Sequence, residues 1–105
     1  MRVLLDRCVP NGFRASLTGH DVSHASEFSW GAVSNGELIR AAAAAGFDVL
    51  ITVDKSMPHQ TPLSESANGV VVIKAQSNRL DKLIPKAYEV LDALNHVTAG
   101  SYLIV

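Results

Sequence analysis

The sequence predicts an α/β fold: a three-layer α/β/α sandwich around a mainly parallel sheet of four to five strands. Three observations predict it. The strand-like runs Val49-Leu50-Ile51-Thr52-Val53 and Val70-Val71-Val72-Ile73 are near-continuously apolar rather than alternating, which suits strands covered on both faces. Segments of helical spacing separate these runs. The chain has 105 residues, 48% of them hydrophobic, so residues 1–105 read as a single domain with a core of its own.

The elements follow in order. Val3-Leu4-Leu5, closed by Asp6, is the first strand. Pro10 can open a helix, Phe13 and Leu17 give it an apolar stripe, and Gly19 can end it. His20-Asp21-Val22-Ser23 is a short strand candidate. In residues 24–33 the apolar Phe28, Trp30 and Val33 are interrupted by Gly31. Ser34 and Glu37 have capping-box spacing, and the helix they start runs through five alanines to a stop at Gly46. Phe47 to Val53 is the strongest strand, ending at Asp54. Residues 55–69 read as a loop with one helical turn. Val70 to Ile73 is the next strand. Leu80, Leu83, Ile84, Ala87, Val90, Leu91 and Leu94 repeat at helical spacing, and Pro85 splits them into a short turn and a main helix over 85–96. Tyr102 to Val105 is a last strand, whose free edge offers backbone groups for pairing into a homodimer.

The single cysteine excludes a disulfide framework and a cysteine-based zinc finger. No apolar run approaches the ~20 residues that span a membrane. Met1 to Asp6 is too short and too soon charged for a secretory signal, so the expectation is a cytoplasmic chain. The net charge of −1 argues against a globally basic nucleic-acid binder.

Chemistry in open parallel sheets sits at the carboxyl ends of the strands, near a topological switch point. Two strands end in aspartate there, at Asp6 and Asp54. If those strands are neighbours, two carboxylates share one rim, and a cation would relieve their repulsion. Oxygen-only ligands favour Mg²⁺ or Mn²⁺. Glu37 is a third candidate ligand and equally the capping partner of Ser34; Glu27 is a fourth, or a solvated loop acid. Arg7, Lys55, Lys74, Arg79 and Lys82 follow strand ends and could hold phosphates. His59 and Gln60 lie in the loop after Asp54. Cys8 lacks a partner for nucleophilic chemistry and reads as structural.

The order Val3-Leu4-Leu5-Asp6, Val9-Pro10, Gly19-His20-Asp21-Val22, Ser34-Asn35-Gly36-Glu37-Leu38, Leu50-Ile51-Thr52-Val53-Asp54-Lys55, Gly69-Val70-Val71-Val72 and Ser77-Asn78-Arg79-Leu80 resembles the short PIN-like proteins. These are predicted nucleases of bacterial toxin–antitoxin systems. The resemblance covers nearly the whole chain. It implies an α/β/α sandwich, an acidic site for Mg²⁺ or Mn²⁺, single-stranded RNA as substrate and a cognate antitoxin protein as partner. It makes Asp6, Asp54 and Glu37 catalytic, with Glu27 aiding as a metal ligand. Arg7, Asn35, Lys55, His59, Gln60 and Arg79 would touch substrate. Arg7, Asn35 and Ser56 stand where the family usually has acids. That thinner set also fits a PIN-like binding module without catalysis. Phe47 to Asp54 with Met57-Pro58 further resembles the phospho-acceptor stretch of a response-regulator receiver, in which Asp54 would be phosphorylated.

Overall fold

The computed structural model describes residues 1–30, 32–60, 63 and 66–105, with Gln60 described by its backbone alone. Gly31, read above as a break, and positions 61, 62, 64 and 65 of the expected loop lie outside the described residues. Among the described residues, five short strands form one sheet in the order β2-β1-β3-β4-β5, and every pairing is parallel. The strands are β1 (Arg2–Leu5), β2 (Asp21–His24), β3 (Val49–Thr52), β4 (Gly69–Val72) and β5 (Tyr102–Ile104). The helices are α1 (Asn35–Ala44), α2 (Met57–Gln60), α3 (Leu80–Leu83) and α4 (Ala87–Leu94).

The sandwich follows from strand alternation. Side chains two apart share a face. Val3, Leu5, Val49, Ile51, Val71 and Ile73 enter one apolar cluster with Phe13, Leu17, Leu83, Val90 and Leu94. Leu4, Leu50, Val70 and Val72 enter another with Leu38, Ile39, Ala42 and Met57. The sheet is therefore the middle layer, with α3 and α4 on one face and α1 and α2 on the other. Full burial of one such aliphatic side chain is worth about 1.5–3 kcal/mol. The three central strands β1, β3 and β4, buried to both sides, carry much of that stabilisation.

Several local signals act as expected. Ser34 Oγ accepts the Glu37 N–H at 3.3 Å and caps α1. At the far end Gly46 adopts φ +86°. There Gly46 N–H donates to Ala43 O at 3.1 Å and Phe47 N–H to Ala42 O at 3.0 Å. This double closure needs a left-handed residue, which glycine supplies without a Cβ clash. Pro85 divides the C-terminal helical stretch, leaving a 3₁₀ turn, Ile84–Lys86, between α3 and α4.

Three expectations are corrected. The helix expected after Pro10 is a 3₁₀ helix, Asn11–Ser16. The strand expected over Phe47 to Val53 is the shorter β3, because Phe47 completes the α1 cap and the Asp48 side chain accepts the Arg2 N–H at 2.8 Å. The main helix expected over 85–96 covers only Ala87–Leu94. The apolar residues of 24–33 do pack: Phe28 stacks on Trp30 at 4.3 Å, and both meet Phe47 edge-on.

Candidate functional site

In the order 2-1-3-4-5 the chain turns from one side of β1 to the other between β2 and β3. The switch point therefore lies between β1 and β3, where ligands of such sheets collect outside the carboxyl ends. Asp6 and Asp54 both follow those ends, on adjoining strands, as the sequence requires of a shared rim.

The register decides how the two acids relate. Leu5 pairs with Ile51, so Asp6 stands level with Thr52, not with Asp54. Asp6 is 4% exposed, so its carboxylate needs partners inside the protein. It has them. Oδ2 accepts the Thr52 hydroxyl at 2.8 Å and the Cys8 thiol at 3.1 Å. Oδ1 accepts the Arg7 N–H at 2.8 Å. The Thr52 oxygen in turn accepts the Asp54 N–H at 3.0 Å. Thr52 thus ties one strand-terminal acid to the backbone of the other.

Asp54 is half-buried and points its carboxylate toward the loop and α1. Oδ1 accepts the Ser56 N–H at 2.9 Å and the Ser56 hydroxyl at 2.7 Å. Oδ2 accepts the Asn35 amide at 3.1 Å. The Ser56 hydroxyl first, then its N–H, then Asn35, hold the Asp54 carboxyl below the usual carboxylate range, against the opposing effect of burial. Burial pushes the Cys8 thiol up, and the neighbouring Asp6 adds to the rise.

The remaining candidates divide. Asn35 opens α1 against Asp54, which brings the first turn of α1, with the exposed Glu37, to the same rim. Glu27 is drawn elsewhere: it forms an ion pair with Arg14 and accepts the His24 N–H at 3.3 Å. It is thereby engaged in the 3₁₀ turn after β2. Arg79 precedes α3 and pairs with Asp81 at 3.2 Å. His59 sits on α2 and meets the Tyr102 ring edge-on at 5.6 Å, on the β5 side of the sheet. The side chain of Gln60 lies outside the described residues. Lys55 is exposed directly after Asp54. Sequence reasoning missed Thr52. Aligning Val3-Leu4-Leu5-Asp6 with Val49-Leu50-Ile51-Thr52, three apolar residues and then a polar one, would have set it opposite Asp6.

Among the described residues, no three His, Cys, Asp or Glu side chains gather closely enough to hold a metal ion. The oxygen donors at Asp54 nevertheless suit a hard cation. Mg²⁺ is commonly held by one or two carboxylates, waters and substrate phosphates rather than by an all-protein cage. No described helix is long and apolar enough to cross a membrane. Compared with protein-family models, with curated proteins and with solved structures, the chain matches none.

Proposed function

We propose that this chain is a PIN-like, metal-dependent ribonuclease of the toxin–antitoxin kind, acting on single-stranded RNA in the cytoplasm and held in check by a cognate antitoxin protein. The observation that carries the reading is the seating of Asp6 and Asp54 beyond adjoining strands at the β1/β3 switch point. Asp54 is the acid that would meet Mg²⁺ or Mn²⁺, because it is ionised, aimed by Asn35 and Ser56, and accessible. Glu37 lies on the same first turn of α1, two residues beyond Asn35. Asp6 is a positioning residue: its buried carboxylate fixes Thr52, and Thr52 fixes the backbone of Asp54. A divalent cation bound there supplies charge neutralisation on a phosphate and acidifies a water. With so few carboxylates, the cation and the RNA phosphate would be bound together.

The test is cleavage of a labelled single-stranded RNA by purified protein with Mn²⁺ or Mg²⁺. Expected is cleavage that chelator stops and that Asp54→Asn lowers at least tenfold. Cleavage indifferent to chelator and to Asp54→Asn would overturn the reading.

One observation favours a second reading, a PIN-like binding module without catalysis. Both oxygens of Asp6 and both of Asp54 already accept protein donors. Binding of RNA or of a protein partner with no cleavage under any divalent cation would establish it. The strand order is also that of flavodoxin-like sheets, receivers among them, although a fold does not assign a function. An unchanged intact mass after incubation with acetyl phosphate and Mg²⁺ would remove the receiver.

A further inference from the structure

Beside the switch point lies a second feature of the same rim. An open cleft of ≈ 440 Å³ is lined by Lys55, Lys74, Ala75, Gln76 and Lys86. Three elements converge to build it. Lys55 follows β3 by way of Asp54, and Lys74 follows β4, where its N–H donates to Val105 O at 2.8 Å. Lys86 closes the 3₁₀ turn that leads into α4. The cleft therefore sits on the carboxyl side of β3 and β4, adjoining Asp54 in the chain.

The charge on this cleft is one-signed. No carboxylate lines it among the described residues. Among the described residues, no acid pairs with Lys55 or Lys74. Lys86 has a single partner, Glu89, three residues on along the helix surface at 3.3 Å. Glu89 is largely exposed, and exposed pairs of this kind hold weakly. Three lysines lining one depression raise the local potential, which an anion would relieve. Lysine binds phosphate as a point charge, without the geometric demand of a guanidinium. Its described lining holds no aromatic ring on which a base could stack, so the contacts it offers are to backbone, not to bases. Near-neutral net charge is compatible with this, because three of the nine Lys and Arg residues line one cleft.

We propose that the cleft framed by Lys55, Lys74 and Lys86 binds the backbone phosphates of single-stranded RNA, without sequence preference and without a metal. The identity of the polyanion rests on the nuclease reading; the anion-binding cleft does not. Arg79, expected to serve this role from its place in the sequence, is paired with Asp81 and is not part of the lining.

The test is fluorescence anisotropy of a labelled single-stranded oligouridine with the whole protein in excess chelator. Binding is expected in chelator, with affinity falling as salt rises. Each phosphate neutralised on a single strand contributes about 0.7 to the slope of log affinity against log salt, so three lysines predict a slope near −2. The triple variant Lys55→Ala, Lys74→Ala, Lys86→Ala should lose at least tenfold in affinity and flatten that slope. The triple arginine variant should keep both, and Arg40→Ala, an exposed α1 position outside the cleft, should change neither. A thermal melt of each variant separates lost binding from lost fold.

Binding of oligouridine that the triple alanine variant does not weaken would overturn the proposal, as would no binding in chelator. Equal affinity for inorganic phosphate and oligouridine would also overturn it, in favour of a small-anion site. The two ideas fail separately. Chelator-resistant binding with no cleavage leaves this cleft in place and removes the nuclease. Metal-dependent cleavage with no chelator-resistant binding does the reverse.

Discussion

The Thr52 hydroxyl donates to Asp6 Oδ2 at 2.8 Å and its oxygen accepts the Asp54 N–H at 3.0 Å. One side chain on β3 thus satisfies a buried carboxylate and fixes the start of the loop that carries the exposed one. Thr52 is fully buried, so its hydroxyl is there for these bonds and not for water. Thr52→Val keeps the shape and removes both. Leaving a buried charged acceptor short of a donor costs about 1–3 kcal/mol. An unfolding free energy lowered by that amount, read as a lower urea midpoint at unchanged slope, is the expected result. No measurable shift would mean that Asp6 does not depend on Thr52.

The two acids should respond differently to the same substitution. Asp6→Asn turns an amide N–H₂ toward a pocket whose lining already consists of donors: the Thr52 hydroxyl, the Cys8 thiol and the Arg7 N–H. The loss of a buried, charge-assisted acceptor is expected to cost about 1.5–3 kcal/mol. Asp54→Asn at the half-exposed site keeps one acceptor oxygen and should cost less than about 1 kcal/mol. Denaturation curves of the two variants check this ranking. The consequence for function is direct: Asp54→Asn isolates chemistry from folding, whereas Asp6→Asn confounds them.

The readable part of this fold was the part written in consecutive residues. Three buried apolar residues ending on a charge marked β1 and its Asp6. Four apolar residues and Thr52 before Asp54 mark β3, and Ser34 and Gly46 bound α1 by capping chemistry alone. What pairing decides was not readable. Nothing near Leu5 says that it sits beside Ile51, so the Thr52 hydroxyl, 46 residues from Asp6, read as one more β-branched strand residue. The partner of Glu27 is hidden for the same reason, since Arg14 lies on a separate 3₁₀ segment. That segment was itself misread. Phe13 and Leu17 have α-helical spacing, and a 3₁₀ helix of six residues carries the same two positions into the core. The lysine cleft was half legible. Lys55 and Lys74 follow strands, but Lys86 joins them only once α4 is folded onto the sheet.

The loop after β3 predicts a titration. Three donors favour the charged form of Asp54, the Ser56 hydroxyl most, so its pKa in the folded protein lies below the ordinary value of about 3.9. A depressed folded pKa contributes stability above the ordinary value, and that contribution is lost as pH falls through the folded pKa. Ser56→Ala removes the largest cause and should move the Asp54 carboxyl back up toward its ordinary range. Carbon-13 NMR of the side-chain carboxyl against pH reads the change. An Asp54 titration identical in the two proteins would contradict the assigned cause.

The opposite sign applies at Cys8. Its thiol sits beside Asp6 Oδ2 at 3.1 Å and near Thr52 Oγ1 at 3.5 Å. Burial raises its pKa most; the Thr52 bond lowers it, and the Asp6 charge raises it again. A raised folded pKa contributes stability that is complete below the ordinary thiol pKa and is lost as pH rises through the folded pKa. The thiolate is the reactive form, so alkylation by iodoacetamide at mildly alkaline pH should be slower than for a free thiol. The variants then move in opposite directions. Thr52→Val removes a cause that lowers the pKa and should slow alkylation further. Asp6→Asn removes a negative neighbour and should speed it, measured at a temperature where that variant remains folded. Rates that follow global stability alone, with both variants faster than the parent, would show that access and not the Asp6 charge governs the thiol.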